Sequence, residues 1–296
     1  MADAQQQHRP RRSVLYMPAA NERALEKAKS IAADALIFDL EDAVAPDAKE
    51  TARANAVAAV TDGGYGRREL TIRINGMDTQ WHGDDLLAAA QAGPDGIVVP
   101  KVGSADEVRA LVDALERAGA PAHTQLWAMV ETPRAMLDVA AIASASERLG
   151  VLVMGTNDLA KELHAEHVPG RQPLLTGLGL CLLGARAAGK VILDGVYNDV
   201  KNAEGFAQEA RQGRELGFDG KTLIHPSQVE PCNEAFAPSE QEVADAEEIV
   251  AVWNETLSSG KGVATVNGRM IENLHVENAQ RVLDMSKAIA ALQADD

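Results

Sequence analysis

Aromatic residues are scarce: three Trp, three Tyr and four Phe make up 3% of the 296 residues. Stacking platforms for nucleic-acid bases are built from such side chains, so that mode of binding is disfavoured. Basic residues are also short, 28 Lys and Arg against 44 Asp and Glu, which leaves a net charge of −16. Affinity for a phosphate backbone comes largely from clustered Lys and Arg, and the charge argues against a nucleic-acid partner. Only two cysteines occur, Cys181 and Cys232, without CxxC spacing, which supports neither a zinc site nor a disulfide framework. No stretch approaches the roughly 18 consecutive apolar residues of a membrane span, and the start lacks the apolar core of a signal peptide. These absences predict a soluble cytoplasmic protein with no membrane contact. The basic stretch 8–12 reads as a short disordered tail.

What is present is core-forming material. Apolar residues make up 46% and charged residues 24%, enough for one large domain or two medium ones. Eight short apolar or β-branched runs stand at 13–17, 35–40, 70–74, 96–99, 126–130, 151–154, 191–193 and 221–224. They start about 30 residues apart on average, the length of one strand, loop, helix and loop. Near-continuous runs such as GIVVP and GVLVMG read as strands buried on both faces, as in a parallel sheet. Eight β-α units predict an α/β fold of the TIM (β/α)8 barrel type, with a doubly wound open sheet as the alternative. Segments 21–33, 104–118 and 133–144 are rich in Ala, Leu, Glu and Arg, and Ser104 with Glu107 forms a capping-box pattern. The long connection 159–190 carries a Gly/Leu-rich piece at 174–183 that predicts an extra turn or helix near the site. The barrel is expected over 1–230 and a C-terminal helical extension over 231–296. That extension holds helices at 239–258 and 275–292, and their Gly-containing link, 260–267, is expected to let the last segment reach a neighbouring subunit.

In such a barrel the chemistry sits where strands end. The second run ends in Asp39, Glu41 and Asp42, the third in Arg73 and Asn75, and the fourth in Lys101. The fifth ends in Glu131, the sixth in Asn157 and Asp158, the seventh in Asp194 and Asn198, and the eighth in His225. Glu131 and Asp158 terminate adjacent strands, which lie about 5 Å apart. Two carboxylates with no His or Cys beside them make a hard oxygen site, suited to Mg²⁺. The alternative is Asp158 as a helix cap and Glu131 paired with Arg134 or Arg73. Arg73 offers a planar fork to a carboxylate or oxyanion, with Glu131 or Asp42 as its expected counter-charge. Asp39 and Glu41 are expected to orient water, arginine or lysine from behind. Lys101 has two readings, such a supporting role or a Schiff-base lysine. His225, just before Pro226, is either a general base or a structural residue. The phosphate loop GxxxxGK[ST], a GxGxxG after the first strand and a GxSxG elbow are all missing.

SVLYMPA at 13–19, FDLEDAVAPDAK at 38–49, RING at 73–76, VVPKV at 98–102, MVETPRA at 129–135, GTNDLA at 155–160, DGVYND at 194–199 and GKTLIHPSQV at 220–229 together resemble the HpcH/HpaI aldolase and citrate lyase β-subunit family. The likeness runs in order from about residue 12 to 290. GTNDLAKEL, GLGLCLLGARAAG and NGRMIENLH are similar to the CoA-ester lyase branch, in particular to malyl-CoA lyases and (3S)-malyl-CoA thioesterases. The resemblance implies a TIM barrel assembled as a homotrimer or hexamer, with Mg²⁺ on Glu131 and Asp158 and with Arg73 on the substrate's carbonyl or carboxylate oxygens. It implies CoA running past the N-terminal strand and the IHPSQ loop, with Gly155, Thr156, Asn157, His225 and Pro226 among the binding residues. A C-terminal acidic residue would complete the neighbour's site; here it is Glu272, where the lyases usually carry Asp. Ala19 stands where many relatives have Gly.

The implied reaction is Mg²⁺-dependent carbon–carbon cleavage or formation of a 3-hydroxyacyl-CoA such as malyl-CoA, methylmalyl-CoA or citramalyl-CoA. The products would be acetyl-CoA or propionyl-CoA and a 2-oxo acid, glyoxylate, pyruvate or oxaloacetate, with Arg73, Glu272 and Asp42 as the catalytic groups. Two alternatives stand beside it: hydrolysis of (3S)-malyl-CoA in the same site, and a citrate lyase β subunit that needs partner subunits.

Overall fold

The computed structural model describes residues 9–258 and 263–294. Eight parallel strands close in chain order into a barrel: β1 Ser13–Pro18, β2 Ala35–Asp39, β3 Glu69–Arg73, β4 Gly96–Val99, β5 Gln125–Val130, β6 Leu149–Met154, β7 Val191–Asp194 and β8 Gly220–Leu223. β8 pairs back onto β1, with Val14 beside Thr222. All eight apolar runs are strands, and the expected (β/α)8 architecture is the one observed.

Local chemistry sets where the helices start. Ser104 opens Ala105–Arg117, its Oγ accepting the Glu107 N–H at 3.2 Å, and Val108, Leu111, Val112 and Leu115 are buried along one face. The reciprocal half of the expected capping box is displaced by one residue, because Glu107 Oε2 accepts from the Gly103 N–H at 2.6 Å. Thr132 caps Pro133–Ala143 by accepting from the Ala135 N–H, with Pro at a position where a backbone donor is not required. The extra helix is Leu175–Ala187. A 3₁₀ stretch, Pro169–Leu174, leads into it with Gly170 and Arg171 left-handed.

Alternation along the strands sorts the core into two sets. Val14, Ile37, Val98, Trp127, Met129, Val151 and Val153 form the inward cluster, while Leu15, Leu36, Phe38 and Ile72 pack against the helices. Both faces being covered is why these strands read as continuous apolar runs.

The end of the barrel opposite the strand C-termini is closed by charge. Arg11 donates Nε and Nη2 to Glu69 at 2.6 and 2.7 Å, and Arg12 donates Nε and Nη2 to Asp34 at 2.8 and 2.7 Å, all four residues buried. The Arg11 guanidinium also lies 5.5 Å from the Trp127 ring centre. The expected basic tail is therefore corrected for these two residues. Their partners come from β3 and the start of β2, which a local run of arginines does not reveal; residue 8 lies outside the described residues.

The barrel unit runs over 11–236, through the helix Val229–Phe236. The described residues from 237 onward form a second unit with helices Glu240–Ser258 and Asn273–Gln293, packed around Trp253, Ala264, Val266 and Ile271. The expected link between these helices is, from 264 on, an antiparallel hairpin of β9 Ala264–Val266 and β10 Arg269–Ile271. Asn267 and Gly268 turn it with φ of 48° and 76°, the two-residue turn that matches strand twist. Residues 260–262 of the link lie outside the described residues. Cys181 and Cys232 are free and buried. Among the described residues no helix is long and apolar enough to cross a membrane.

Candidate active site

Inward-facing positions continue inward at the strand ends. Val14 leads to Tyr16, Ile37 to Asp39, Thr71 to Arg73 and Met129 to Glu131, each two residues on. These side chains meet at the mouth formed by the strand C-termini and line a cavity of about 330 Å³ with Asp42, Met154, Gly155, Thr156, Asn157 and Asp158. A larger cavity of about 610 Å³ lies beside the helix Ala203–Leu216; it shares Val196 with the first and has none of the carboxylates that end β2, β5 and β6. The chemistry follows those carboxylates rather than the volume.

Asp39 and Arg73 are direct partners in the β2–β3 register. Arg73 Nε and Nη2 donate to the two Asp39 oxygens, each at 2.6 Å. Arg73 Nη1 lies 2.7 Å from Glu41 Oε2, an ion pair without hydrogen-bond alignment, and 3.9 Å from Asp42. The counter-charge of Arg73 is therefore Asp39 backed by Glu41, rather than Glu131 or Asp42, because β2 lies directly alongside β3. Burial, the largest single effect, would lower the Arg73 pKa, but Asp39, Tyr16 and Glu41 together raise it well above the ordinary value. Asp39 also accepts the Glu41 and Ala43 N–H groups at 2.9 and 3.2 Å, which ties down the loop after β2. Lys49 braces that loop by donating to the carbonyls of Leu40 and Glu41 and to Asn75 Oδ1. Asn75 is thus a buried brace, donating in turn to Asp85 at 2.6 Å.

Glu131 is 2% exposed. Its Oε1 accepts the Lys101 backbone N–H at 2.7 Å. Lys101 reaches that geometry with φ of 55°, a left-handed conformation uncommon for a residue with a Cβ and a mark of functional sites. On the other side, a Cβ at residue 155 would overlap the Glu131 side chain, so the chain passes this carboxylate only as Gly155. Burial, then the charge of Asp158, pushes Glu131 up to about 7, while the Lys101 hydrogen bond pulls the other way. Asp158 stands in the first turn of Thr156–Glu162, where the helix dipole favours an anion, and also lines the cavity. The expected helix-cap role is corrected, because Gly155 occupies the cap position with no side-chain cap bond and Asp158 acts on the helix only through the dipole. Glu131 has the Lys101 backbone as its partner in place of the expected Arg134 or Arg73.

Two carboxylates that repel each other form a donor set suited to a divalent cation. Mg²⁺ takes one or two protein carboxylates and fills its octahedron with water and substrate oxygens. Among the described residues no group of three or more His, Cys, Asp or Glu is gathered around one point.

The Lys101 ammonium lies 3.7 Å from Asp158. Burial alone would lower its pKa, but Asp158, Glu131, Glu41 and Asp42 raise it above the ordinary value. A Schiff-base lysine needs the opposite shift, so the geometry favours the supporting role of Lys101.

Asn157 and Asn198 exchange amide hydrogen bonds at 3.0 and 2.8 Å across the loops after β6 and β7. Asp194 is buried with Arg171 and Lys221 and takes no part in the mouth. His225 is exposed and opens the 3₁₀ turn Pro226–Gln228, its Nδ1 beside Ser227 Oγ at 2.8 Å; neither His225 nor Pro226 lines the cavity, whereas the neighbouring Ile224 does. Glu272 belongs to the second unit, where its N–H donates to His275 Nδ1 at 3.1 Å at the start of Asn273–Gln293. Sequence reasoning passed over Tyr16 and Met129. Counting two residues on from inward-facing Val14 and Trp127 finds both.

A family model described as HpcH/HpaI aldolase/citrate lyase matches residues 12–226, and one described as C–C bond lyase of the TIM-barrel fold matches residues 180–290. The chain is 51% identical over 291 residues to the (3S)-malyl-CoA thioesterase of Cereibacter sphaeroides (strain ATCC 17025 / ATH 2.4.3), covering 98% of this chain and 99% of that protein. It is 35% identical over 288 residues to the citrate lyase subunit beta of Escherichia coli (strain K12), covering 96% and 95%. Among solved structures it is similar to CitE from Mycobacterium tuberculosis in complex with magnesium, acetoacetate and coenzyme A, with a TM-score of 0.76 and 29% identity over 93% of this chain and 97% of that one.

Proposed function

The chain belongs to the HpcH/HpaI aldolase/citrate lyase family, and from that premise we propose that it acts on the CoA thioester of a small 3-hydroxy acid of the malyl type, with Mg²⁺ held by Glu131 and Asp158. The observation that carries this reading is the convergence of Glu131, Asp158 and an immobilised Arg73 on one cavity. When bound, Mg²⁺ supplies a Lewis acid for substrate oxygens.

The protein's own groups account for the rest. Arg73, already clamped by Asp39, presents a cation to a substrate carboxylate or carbonyl without having to reorganise. Met129 and Met154 make part of the cavity wall apolar, which limits stray water. Asp42 is 74% exposed at the rim and is the candidate for taking or delivering a proton, together with Glu272 contributed by a neighbouring copy of the chain.

Two bond-breaking outcomes fit this arrangement. In hydrolysis, water adds to the thioester carbonyl, the C–S bond breaks and CoA leaves with the proton, releasing malate. In cleavage, the 3-hydroxyl loses its proton, the C2–C3 bond breaks, and C2 is protonated to leave acetyl-CoA and a 2-oxo acid. Hydrolysis is the outcome we favour, supported by 51% identity across nearly the whole chain to a thioesterase. Carbon–carbon cleavage is the second reading, favoured by the 35% identity to a citrate lyase subunit.

The test incubates the full-length protein and Mg²⁺ with malyl-CoA, citramalyl-CoA and citryl-CoA, with and without EDTA, and identifies products by mass spectrometry. Free CoA with malate establishes hydrolysis. Acetyl-CoA with a 2-oxo acid establishes the lyase. Turnover of no free CoA ester would point to a subunit that needs a carrier partner. Light scattering of the same sample tests the proposed homotrimer or hexamer.

A further inference from the structure

The Tyr16 hydroxyl is directed at sulfur: it donates to Met129 Sδ at 3.9 Å. Arg73 Nη1 donates to the same sulfur at 4.0 Å. A thioether is a weak acceptor, so it holds the O–H weakly, and Arg73 Nη1 has beside it, apart from that sulfur, Glu41 Oε2 at 2.7 Å without hydrogen-bond alignment. Tyr16, Arg73 and Met129 all line the 330 Å³ cavity with Glu131 and Asp158. The Tyr16 ring is held by the guanidinium, whose carbon lies 4.7 Å from the ring centre, a cation–π arrangement that fixes where the hydroxyl stands. Phenylalanine would supply the same stacking, so packing alone does not call for the hydroxyl. Burial raises the phenol's pKa, with Asp39, Glu131 and Glu41 adding to the rise and Arg73 opposing it, which keeps Tyr16 protonated as a donor.

From this convergence we infer that Tyr16 is a further substrate-binding residue, whose hydroxyl joins Arg73 Nη1 in donating to one anionic oxygen of the hydroxy-acid or oxo-acid half of the substrate. The inference rests on the function proposed above and deepens it. The remaining polar walls of the cavity include Asp39, Asp42, Glu131 and Asp158, which repel an anion until a cation neutralises them. The corner shared by Tyr16 and Arg73 instead meets a negatively charged oxygen with donors. A small carboxylate matches that chemistry.

The variant Tyr16→Phe keeps the ring over Arg73 and removes only the donor. Calorimetry on the full-length protein with Mg²⁺ uses glyoxylate and pyruvate as probes, and steady-state turnover of malyl-CoA runs in parallel. The expected result is binding of the acids about ten- to a hundredfold weaker in Tyr16→Phe, the effect of losing one hydrogen bond to a charged group. Most of the matching loss in kcat/KM is expected in KM, with Mg²⁺ affinity and Tm unchanged. Equal affinity in the wild type and Tyr16→Phe, with malyl-CoA turned over by both, overturns the role of Tyr16 and leaves the proposed function standing. A parallel fall in Tm and Mg²⁺ affinity also overturns it, because the hydroxyl would then be structural. A wild type that binds neither acid and turns over no ester overturns the function and this inference with it.

Discussion

Asp39 grips Arg73 from the neighbouring strand by two contacts of 2.6 Å, Nε to Oδ1 and Nη2 to Oδ2. Both residues are buried, so removing the carboxylate leaves a guanidinium facing only Glu41 and Asp42. Asp39→Ala is expected to lower stability by about 3–5 kcal/mol, the usual cost of stranding one partner of a buried pair. Urea denaturation measures this. A loss below about 1 kcal/mol, in the range of a surface pair, would mean that Glu41 takes over the pairing.

Glu131→Gln keeps the shape of the side chain and removes its charge. Metal-dependent turnover is expected to vanish, with Mg²⁺ binding weakened beyond detection by calorimetry. Unchanged activity at saturating Mg²⁺ would sink the assignment of Glu131 as a ligand.

The acidity of Glu131 predicts a pH dependence. Its carboxyl is raised from 4.5 to about 7, first by burial and then by Asp158. Where the folded pKa exceeds the unfolded one, the native chain holds its proton more tightly. The resulting stabilisation is complete below the unfolded value and is lost as pH rises through the folded value. In EDTA, Tm is therefore expected to decline between about pH 4.5 and about pH 7. Mg²⁺ competes with that proton, so it should raise Tm more near about pH 8 than near about pH 5.5. Thermal scans with and without Mg²⁺ across this range decide the point, and a Mg²⁺ increment independent of pH would count against it.

Gly155→Ala tests the close approach to Glu131. The added methyl overlaps the Glu131 side chain, and with the Lys101 N–H on the other side of the carboxylate there is little room to yield. Overpacking of this kind costs about 1–3 kcal/mol. Mg²⁺ affinity is expected to fall with Tm, read by calorimetry and thermal shift. Wild-type Mg²⁺ affinity in the variant would show that Glu131 can move aside and still bind.

Much of this architecture is written locally. GIVVP and GVLVMG mark their strands because both faces of each strand are covered, and the charge at each strand end stands next to the run that carries it. Glu131, Asp158 and Arg73 were therefore readable as mouth residues. Other features were equally local and still passed over. Tyr16 sits inside an apolar run, LYM, where only the two-residue alternation shows that it faces inward with Val14. Asn267 and Gly268, flanked by short strands, are a hairpin signal inside what resembles a flexible link.

Hydrophobic period and spacing alone set the eight β-α units and the charges at their ends, since both belong to the chain and need no partner. Which of those charges meet depends on strand order and closure of the barrel. Arg73 is paired with Asp39 because β2 lies beside β3, and Arg11 and Arg12 are neutralised by Glu69 and Asp34 because the closed barrel brings the starts of β2 and β3 to them. Glu131 is pinned because β4 ends in a left-handed turn at Lys101 that points a backbone N–H at it. Each of these contacts joins residues about 20 or more positions apart, and their geometry exists only once register and closure have been set.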